Sequence, residues 1–428
     1  MQLKPILRKA ITYCTGITTI TALILAGCGG GGGSSTSSPP PSLNIVANPL
    51  INAKTSHDLR TAPFRINRSG ISNSLFSNAM AYADIDGDTD IDLFVAPGDT
   101  SPGSSGTGTP TAIRMYRNTT GSLATDTTIW GGSTVPTTIW PRKALTGDYN
   151  GDGVPDFAVI DHGWDAPPFP GAAPLVILSA PGGTYKKATG LDTLIGFHHG
   201  GASGDIDNDG DIDIFLAAGG GNTGNPMFLL NDGTGNFTVN TDRIPSELRT
   251  NTLPFFSAEL VDIDGDGFLD LQVGGVEPPS GNLRTTIYWG STSGYYDASL
   301  STQLPTVSGY TDQLDFDARD LDGDGDRDLL ITRTSHNYQG YSIQYLRNDG
   351  NRSFTDVTAT RITGSSDATA PWIDWISVGD VNGDGFIDIY TENATPGSAD
   401  VVWINDGSGN FTRASASTAS TMPVITPL

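Results

Sequence analysis

DIDGDGFLDLQV, residues 262–273, decides the fold, because five variants of it recur along the chain: DIDGDTDIDLFV from 84, DYNGDGVPDFAV from 148, DIDNDGDIDIFL from 205, DLDGDGDRDLLI from 320 and DVNGDGFIDIYT from 380. Successive starts lie 64, 57, 57, 58 and 60 residues apart. A near-constant period of this size marks supersecondary units, none of which can bury its own face alone. The body of the chain therefore reads as one array.

Each acidic stretch leads into a short apolar run. A second apolar run follows and closes on a Gly-containing turn and an aromatic residue, as in MFLLNDGTGNFT from 227, IQYLRNDGNRSFT from 343 and VVWINDGSGNFT from 401. Asn-Asp-Gly between β-rich runs signals a hairpin, because Asn and Gly tolerate positive φ. Helical windows free of Gly and Pro are scarce, and the best short candidate lies at Pro245–Arg249. The pattern predicts an all-β β-propeller of six four-stranded blades, with seven as the alternative count. Residues 43–75 or the tail after Arg413 are expected to supply a strand that closes the ring. A β-solenoid is the less suitable architecture, since a unit of 57 residues is long for one coil.

In the 262 unit Asp262, Asp264 and Asp266 hold positions 1, 3 and 5, Gly267 position 6 and Asp270 position 9. Alternate residues of a tight loop point inward, so the carboxylates converge and repel one another unless a cation joins them. Flexible oxygen coordination of this kind suits calcium better than magnesium, and the position 7 carbonyl, here of Phe268, adds a neutral ligand. The corresponding sets are Asp84, Asp86, Asp88, Asp90 and Asp92; Asp205, Asp207, Asp209, Asp211 and Asp213; and Asp320, Asp322, Asp324, Asp326 and Asp328. Two units carry Asn at position 3, giving Asp148, Asn150, Asp152, Val154 and Asp156, and Asp380, Asn382, Asp384, Phe386 and Asp388. Lower ligand charge predicts weaker binding at these two. About six calcium ions are expected in all. Thr89 stands at position 6 where every other unit has Gly.

A helical EF-hand requires a Glu at position 12, where these units have Val95, Val159, Leu216, Val273, Ile331 and Thr391. The loops instead resemble those of FG-GAP or VCBS repeat proteins, including the calcium-bearing blades of integrin α-subunit propellers. The resemblance covers about residues 75–415. It implies a propeller whose ions brace loops between strands, away from catalytic chemistry.

The amino terminus has the layout of an export signal. Lys4, Arg8 and Lys9 precede an apolar run, Ala10–Gly27, that ends in LAGC at 25–28. LAGC resembles the bacterial lipobox, which implies cleavage before Cys28 and acylation of that residue. Residues 28–42, rich in Gly, Ser and Pro, read as a linker that holds the 43–428 body off a membrane. Gly29 is not the Asp that commonly retains lipoproteins at the inner membrane, so the expected location is the outer membrane or cell surface. Loss of residues 1–27 removes three cations and leaves 20 against 47 acids, a net charge of −27.

That acidity excludes nucleic-acid partners, which need a basic stripe. Because 25 of the 47 acids belong to the repeats, paired carboxylates are ion ligands before they are acid/base catalysts. Cys14 and Cys28 are the only cysteines, so no disulfide framework exists. His198 and His199 are adjacent, and neighbours on a strand face opposite sides, which disfavours chelation of one ion. GGGNTG at 219–224 fits a phosphate-loop pattern but leads into another strand instead of a helix. Trp289 and Trp403 sit in the repeated strand and read as core, whereas Trp164, Trp372 and Trp375 are candidates for a ligand-facing rim. The expectation is a non-catalytic, surface-tethered module that binds an extracellular protein or glycan. A polysaccharide lyase or hydrolase and a structural envelope component are the alternatives.

Overall fold

The computed structural model describes residues 54–57, 65–66, 78–98, 108–119, 122–219, 224–250, 252–392, 401–415 and 424–425. Of the two units into which the chain divides, Met1–Ser42, with the export signal, the lipidation candidate Cys28 and the linker, lies outside the described residues. Leu43–Leu428 holds the fold.

Six four-stranded antiparallel blades follow one another in sequence, and blades 5 and 6 each take one extra strand. Their first strands are Asn78–Ala83, Pro141–Gly147, His198–Gly204, Phe255–Val261, Asp312–Arg319 and Trp375–Gly379. Successive first strands pack on one another around a central channel, which makes the array a six-bladed β-propeller. Second strands begin at position 9 of the repeat: Asp92–Pro97, Asp156–Asp161, Asp213–Ala218, Asp270–Gly275, Asp328–Thr334 and Asp388–Glu392. In blades 1 to 5 every residue of this strand is buried. Neighbouring sheets cover both its faces, so it reads as a continuous apolar run with no alternation. Fourth strands such as Ser122–Thr125 and Phe354–Asp356 are short, polar and mostly solvent-facing, which blunts the outer edge.

Every blade interface is a hydrophobic cluster. Phe94 of blade 1 stacks on Phe157 of blade 2 with ring centroids 4.4 Å apart. Trp289 and Trp403 are buried as expected, in the clusters between blades 4 and 5 and between blades 5 and 6. The ring closes where Tyr82 of blade 1 meets Tyr390 and Val402 of blade 6. No blade lacks a strand, so the expected closing strand has nowhere to insert. Instead Arg65–Ile66 pairs in parallel with Val424–Ile425 as a separate two-stranded sheet. Pro245–Arg249 contains only a 3-10 turn, Ser246–Leu248. Among the described residues no helix is long and apolar enough to cross a membrane.

The Asn-Asp-Gly hairpins work differently from the sequence expectation. Gly233, Gly350 and Gly407 take the positive φ, while Asn231, Asn348 and Asn405 end the third strand in ordinary β geometry. Each of these Asn side chains donates to the position 8 carbonyl of its own repeat, Ile212, Arg327 or Ile387, at 3.0–3.1 Å. Asn231 and Asn405 also reach the preceding blade, donating to the carbonyls of Tyr149 and Leu321.

The channel is bridged by Lys54–His57. Ser56 N–H donates to the Ser203 carbonyl at 3.0 Å, and the Thr55 hydroxyl to the carbonyls of Ser203 and Leu260. His57 is fully buried, 3.6 Å from Glu259 and 3.4 Å from Asp317. Glu259 also takes Lys143, and Arg319 donates to the His57 carbonyl at 2.7 Å. Burial acts to lower the basicity of His57, but the Asp317 and Glu259 carboxylates outweigh it and hold the ring above the ordinary histidine value.

All six acidic loops have positive φ at positions 4 and 6. Position 6 spans 80° to 97° in the glycine-bearing loops, and Thr89 adopts the same conformation at 78°. A β-branched residue is strained there. Thr89→Gly is therefore expected to stabilise the protein by about 1 kcal/mol, the strain relieved less the backbone entropy added to the unfolded chain. A melting midpoint at or below that of the unaltered protein would refute the strain. His57→Ala is expected to cost about 3 kcal/mol near pH 6 by taking one cationic partner from each of two buried carboxylates, Glu259 and Asp317. A group with a raised folded value adds stability below its unfolded value and loses it as pH rises through the folded one, so the deficit should shrink by pH 9. Denaturant titration at both pH values checks this, and a pH-independent deficit contradicts the charged pairing.

Candidate functional site

Each acidic loop joins the end of a first strand to the start of a second, which sets all six at one end of the blades. The carboxylate at position 1 accepts the N–H of position 6 in every loop, for example Gly267 to Asp262 at 2.9 Å and Gly385 to Asp380 at 2.8 Å. Position 5 accepts the N–H of position 7 in all six, at 2.9–3.0 Å. These Asx turns fix the backbone. At position 7, Val154 and Phe386 are exposed despite being apolar, which fits a site where the main chain is what matters.

Position 9 behaves unlike the others. Asp92, Asp156, Asp213, Asp270, Asp328 and Asp388 are all at most 1% exposed. One oxygen of each accepts the N–H of position 2, and the other accepts the N–H of a residue within two positions of the end of the third strand. In the 262 unit these donors are Ile263 and Gly290, at 2.8 and 2.7 Å. In the other units the third-strand donor is Asn118, Ser179, Asn231, Asn348 or Asn405, at 2.6–2.9 Å. Burial pushes the carboxyl up, against these hydrogen bonds: to about 8 for Asp270, about 7 for Asp92, Asp156 and Asp213, and about 6 for Asp328 and Asp388. Nearby loop aspartates raise it further. The sequence reading placed position 9 among the ion ligands, and the structure gives it a bracing role as well.

Carboxylate oxygens converge in four loops, all within 4.8 Å of one another: Asp84, Asp86 and Asp92; Asp205, Asp207 and Asp209; Asp262, Asp264 and Asp270; Asp320, Asp322 and Asp324. These are the loops with four or more acids; the two Asn-bearing loops do not form such a group of acids. Asp207 Oδ1, Asp262 Oδ1 and Asp322 Oδ1 are buried with no hydrogen-bond partner among the described residues. A buried anionic oxygen without a partner is costly, and an all-oxygen donor set of this charge fits a hard divalent cation. Calcium in these loops would be held by positions 1, 3 and 5, the carbonyl of position 7 and position 9. It would supply the positive charge that the ion-free loops lack.

Arginines that sequence spacing did not single out already supply part of that charge. Arg117 pairs with Asp86 and with Asp126 at 2.6 Å, Arg243 with Asp207 at 2.9 Å, and Arg352 with Asp264 at 2.6 Å. Arg352 comes from the hairpin of the next blade and its guanidinium lies 4.8 Å from the Trp289 ring, so it ties two blades at one loop. They sit at different points of the repeat, hence no common spacing reveals them.

The opposite end of the blades is aromatic. Trp372 and Trp375 are half-buried there, whereas Trp164 is only 8% exposed, edge-on to half-buried Trp140 at 5.7 Å. The outward position that the sequence reading gave Trp164 therefore belongs to Trp140. His198 and His199 point apart: His198 Nε2 lies 3.2 Å from the Leu194 carbonyl, while His199 packs on Phe256 at 4.5 Å. Of the phosphate-loop pattern, Gly220–Thr223 fall outside the described residues, and the flanking segments Asp213–Ala218 and Met227–Asn231 are both strands.

No curated protein sequence matches the chain. Among solved structures it is similar to the V. cholerae biofilm matrix protein Bap1, at 17% identity and TM-score 0.36, covering 71% of this chain and 41% of that one. It thus spans less than half the length of that protein. An α-L-arabinanase variant from Cellvibrio cellulosa matches at 13% identity and TM-score 0.36, covering 67% and 96% of the two chains. A Bombyx mori GH32 β-fructofuranosidase matches at 11% and 0.35, covering 86% and 89%. The family described as FG-GAP-like repeat matches residues 71–159, 205–273 and 320–391, more than half of the sequence. Its segments coincide with blades built around the clamped acidic loops, and the chain belongs to the FG-GAP-like repeat family.

Proposed function

We propose that the chain is a calcium-stabilised propeller, lipid-tethered through Cys28 to the bacterial envelope, that serves as a non-catalytic binding or adhesion module for an extracellular protein or glycan. The observation that carries this reading is the division of labour between the two ends of the blades. One end holds self-repelling carboxylates with unpartnered buried oxygens, which a cation would join. The other presents half-buried aromatic rings, the side chains that most often anchor partners and sugars. A cavity at the channel is lined by Tyr82, Lys143, Glu259 and Trp375 among others. A polysaccharide lyase or hydrolase is the alternative, favoured by the ion pair of Arg142 and Asp374, 3.6 Å apart and outside the motifs.

Calcium dependence has a signed pH consequence. The position 9 carboxyls titrate near 6 to 8 in the ion-free fold, against an ordinary value of 3.8. A fold that holds protons longer than its unfolded chain loses stability as pH rises between those values. In chelator the melting midpoint should therefore fall from about pH 5 to about pH 8, and millimolar calcium should remove that slope and raise the midpoint at pH 8. Equal midpoints in chelator and calcium at pH 8 would defeat the metal reading. Full-length protein displayed on vesicles is expected to hold immobilised extracellular polysaccharide or glycoprotein and to release no cleaved product. Accumulating reducing ends or unsaturated sugars would favour the enzyme instead.

A further inference from the structure

Resting on the proposed binding function, a ligand class can be read from the end of the blades opposite the acidic loops. Trp140 immediately precedes a first strand and Trp372 lies three residues before one, His199 and Phe256 are second residues of first strands, and His162 and Tyr338 follow second strands. In antiparallel pairs these places share one end; Pro141 faces Asp161, and Phe255 faces Gly275. The rings form two linked runs. Trp140 to His162 is 6.2 Å and His162 to His199 is 5.2 Å; His199 to Phe256 is 4.5 Å, Phe256 to Tyr338 6.2 Å and Tyr338 to Trp372 5.6 Å. The arc thus runs from blade 2 to the start of blade 6. Tyr338 is 39% exposed, and Trp140, Phe256 and Trp372 are half-buried.

Polar atoms without partners are interleaved with these rings. His162 is fully buried and His199 is 7% exposed, yet His162 Nε2 and His199 Nδ1 have no hydrogen-bond partner among the described residues, and neither does Arg142 Nε. Arg142 lies 5.6 Å from the Trp375 ring and 3.6 Å from Asp374, and it is within electrostatic reach of His162, His199 and Tyr338. These atoms are sealed beneath the rings, and what a ligand can reach are the ring faces and the partly exposed Arg142–Asp374 pair. The charge of Arg142 is balanced by Asp374, and the chain carries −24 overall, which repels an acidic polymer. Apolar ring faces beside hydrogen-bonding groups, with no net positive charge, suit a ligand that presents C–H faces and hydroxyls together. We propose that this arc binds a neutral saccharide chain, with Tyr338 and Trp372 stacking on sugar rings and the Arg142–Asp374 pair hydrogen-bonding to hydroxyls.

The test titrates neutral gluco-, galacto-, manno- and xylo-oligosaccharides into full-length protein in calcium buffer, by calorimetry and tryptophan fluorescence, with oligogalacturonate as the acidic control. Saturable binding of at least one neutral oligosaccharide is expected, weakened about tenfold by Tyr338→Ala and by Trp372→Ala. Tyr295→Ala, which removes an exposed ring outside the arc, should leave the affinity unchanged. Binding that both aromatic variants retain overturns the assignment, as does the absence of binding to every neutral sugar. Binding of oligogalacturonate or of immobilised extracellular protein alone overturns the neutral saccharide and leaves the binding function standing. No binding to sugar or protein, by protein that melts cooperatively, defeats both.

Discussion

Each blade hangs on one buried carboxylate. The position 9 aspartate sits where an acidic turn becomes a fully buried strand, and its two oxygens reach two different parts of the blade, the start of the turn and the end of the third strand. A turn, a strand and a hairpin are thereby fixed to one another by a single side chain. No other residue type does this as well: Asn offers one acceptor oxygen, and Glu places its oxygens a methylene farther out. The cost is a buried negative charge, visible in carboxyls held at about 6 to 8. The neighbouring aspartates only raise that cost, which is why a propeller of this design calls for positive charge at the same end of every blade.

Arginines supply that charge in part. Arg117, Arg243 and Arg352 bind the position 3 carboxylates of three loops, and Arg352 does so across a blade boundary. Arginines cannot reach the centre of a tight loop, where Asp207, Asp262 and Asp322 each keep a buried oxygen unpartnered. The proposed divalent cation would fit there and would brace the loop. Ordering the loop end in this way leaves the opposite end of the same strands free to carry side chains chosen for other reasons, and there the chain places its aromatic arc.

Between the two ends the channel is filled with polar groups in place of apolar ones. Lys54–His57 runs across it, and His57, Lys143, Glu259, Asp317 and Arg319 form a buried network of both signs. This short segment from the amino-terminal side couples blades 3, 4 and 5, which are far apart in sequence.

The sequence by itself determined the repeat, its period, the turn-to-strand transition and the acidic residues of the loops. All of these depend on interactions within about ten residues, where spacing and geometry are nearly the same thing. It also placed Trp289 and Trp403 in the core, because a strand sandwiched between sheets must be apolar throughout. The double duty of position 9 was not legible, since its second partner lies 17 to 26 residues away. Nor was the Asn of Asn-Asp-Gly, which looks like a turn residue and proves to be a latch onto the acidic loop. Trp164 and Trp140 look alike in sequence, and only packing decided which is covered. His57, one of five scattered histidines, is brought to Glu259 and Asp317 by the closure of the ring. Local chemistry writes the blade into the chain, whereas the channel and the aromatic face exist only once six blades have met, because the residues that form them have no fixed distance in sequence.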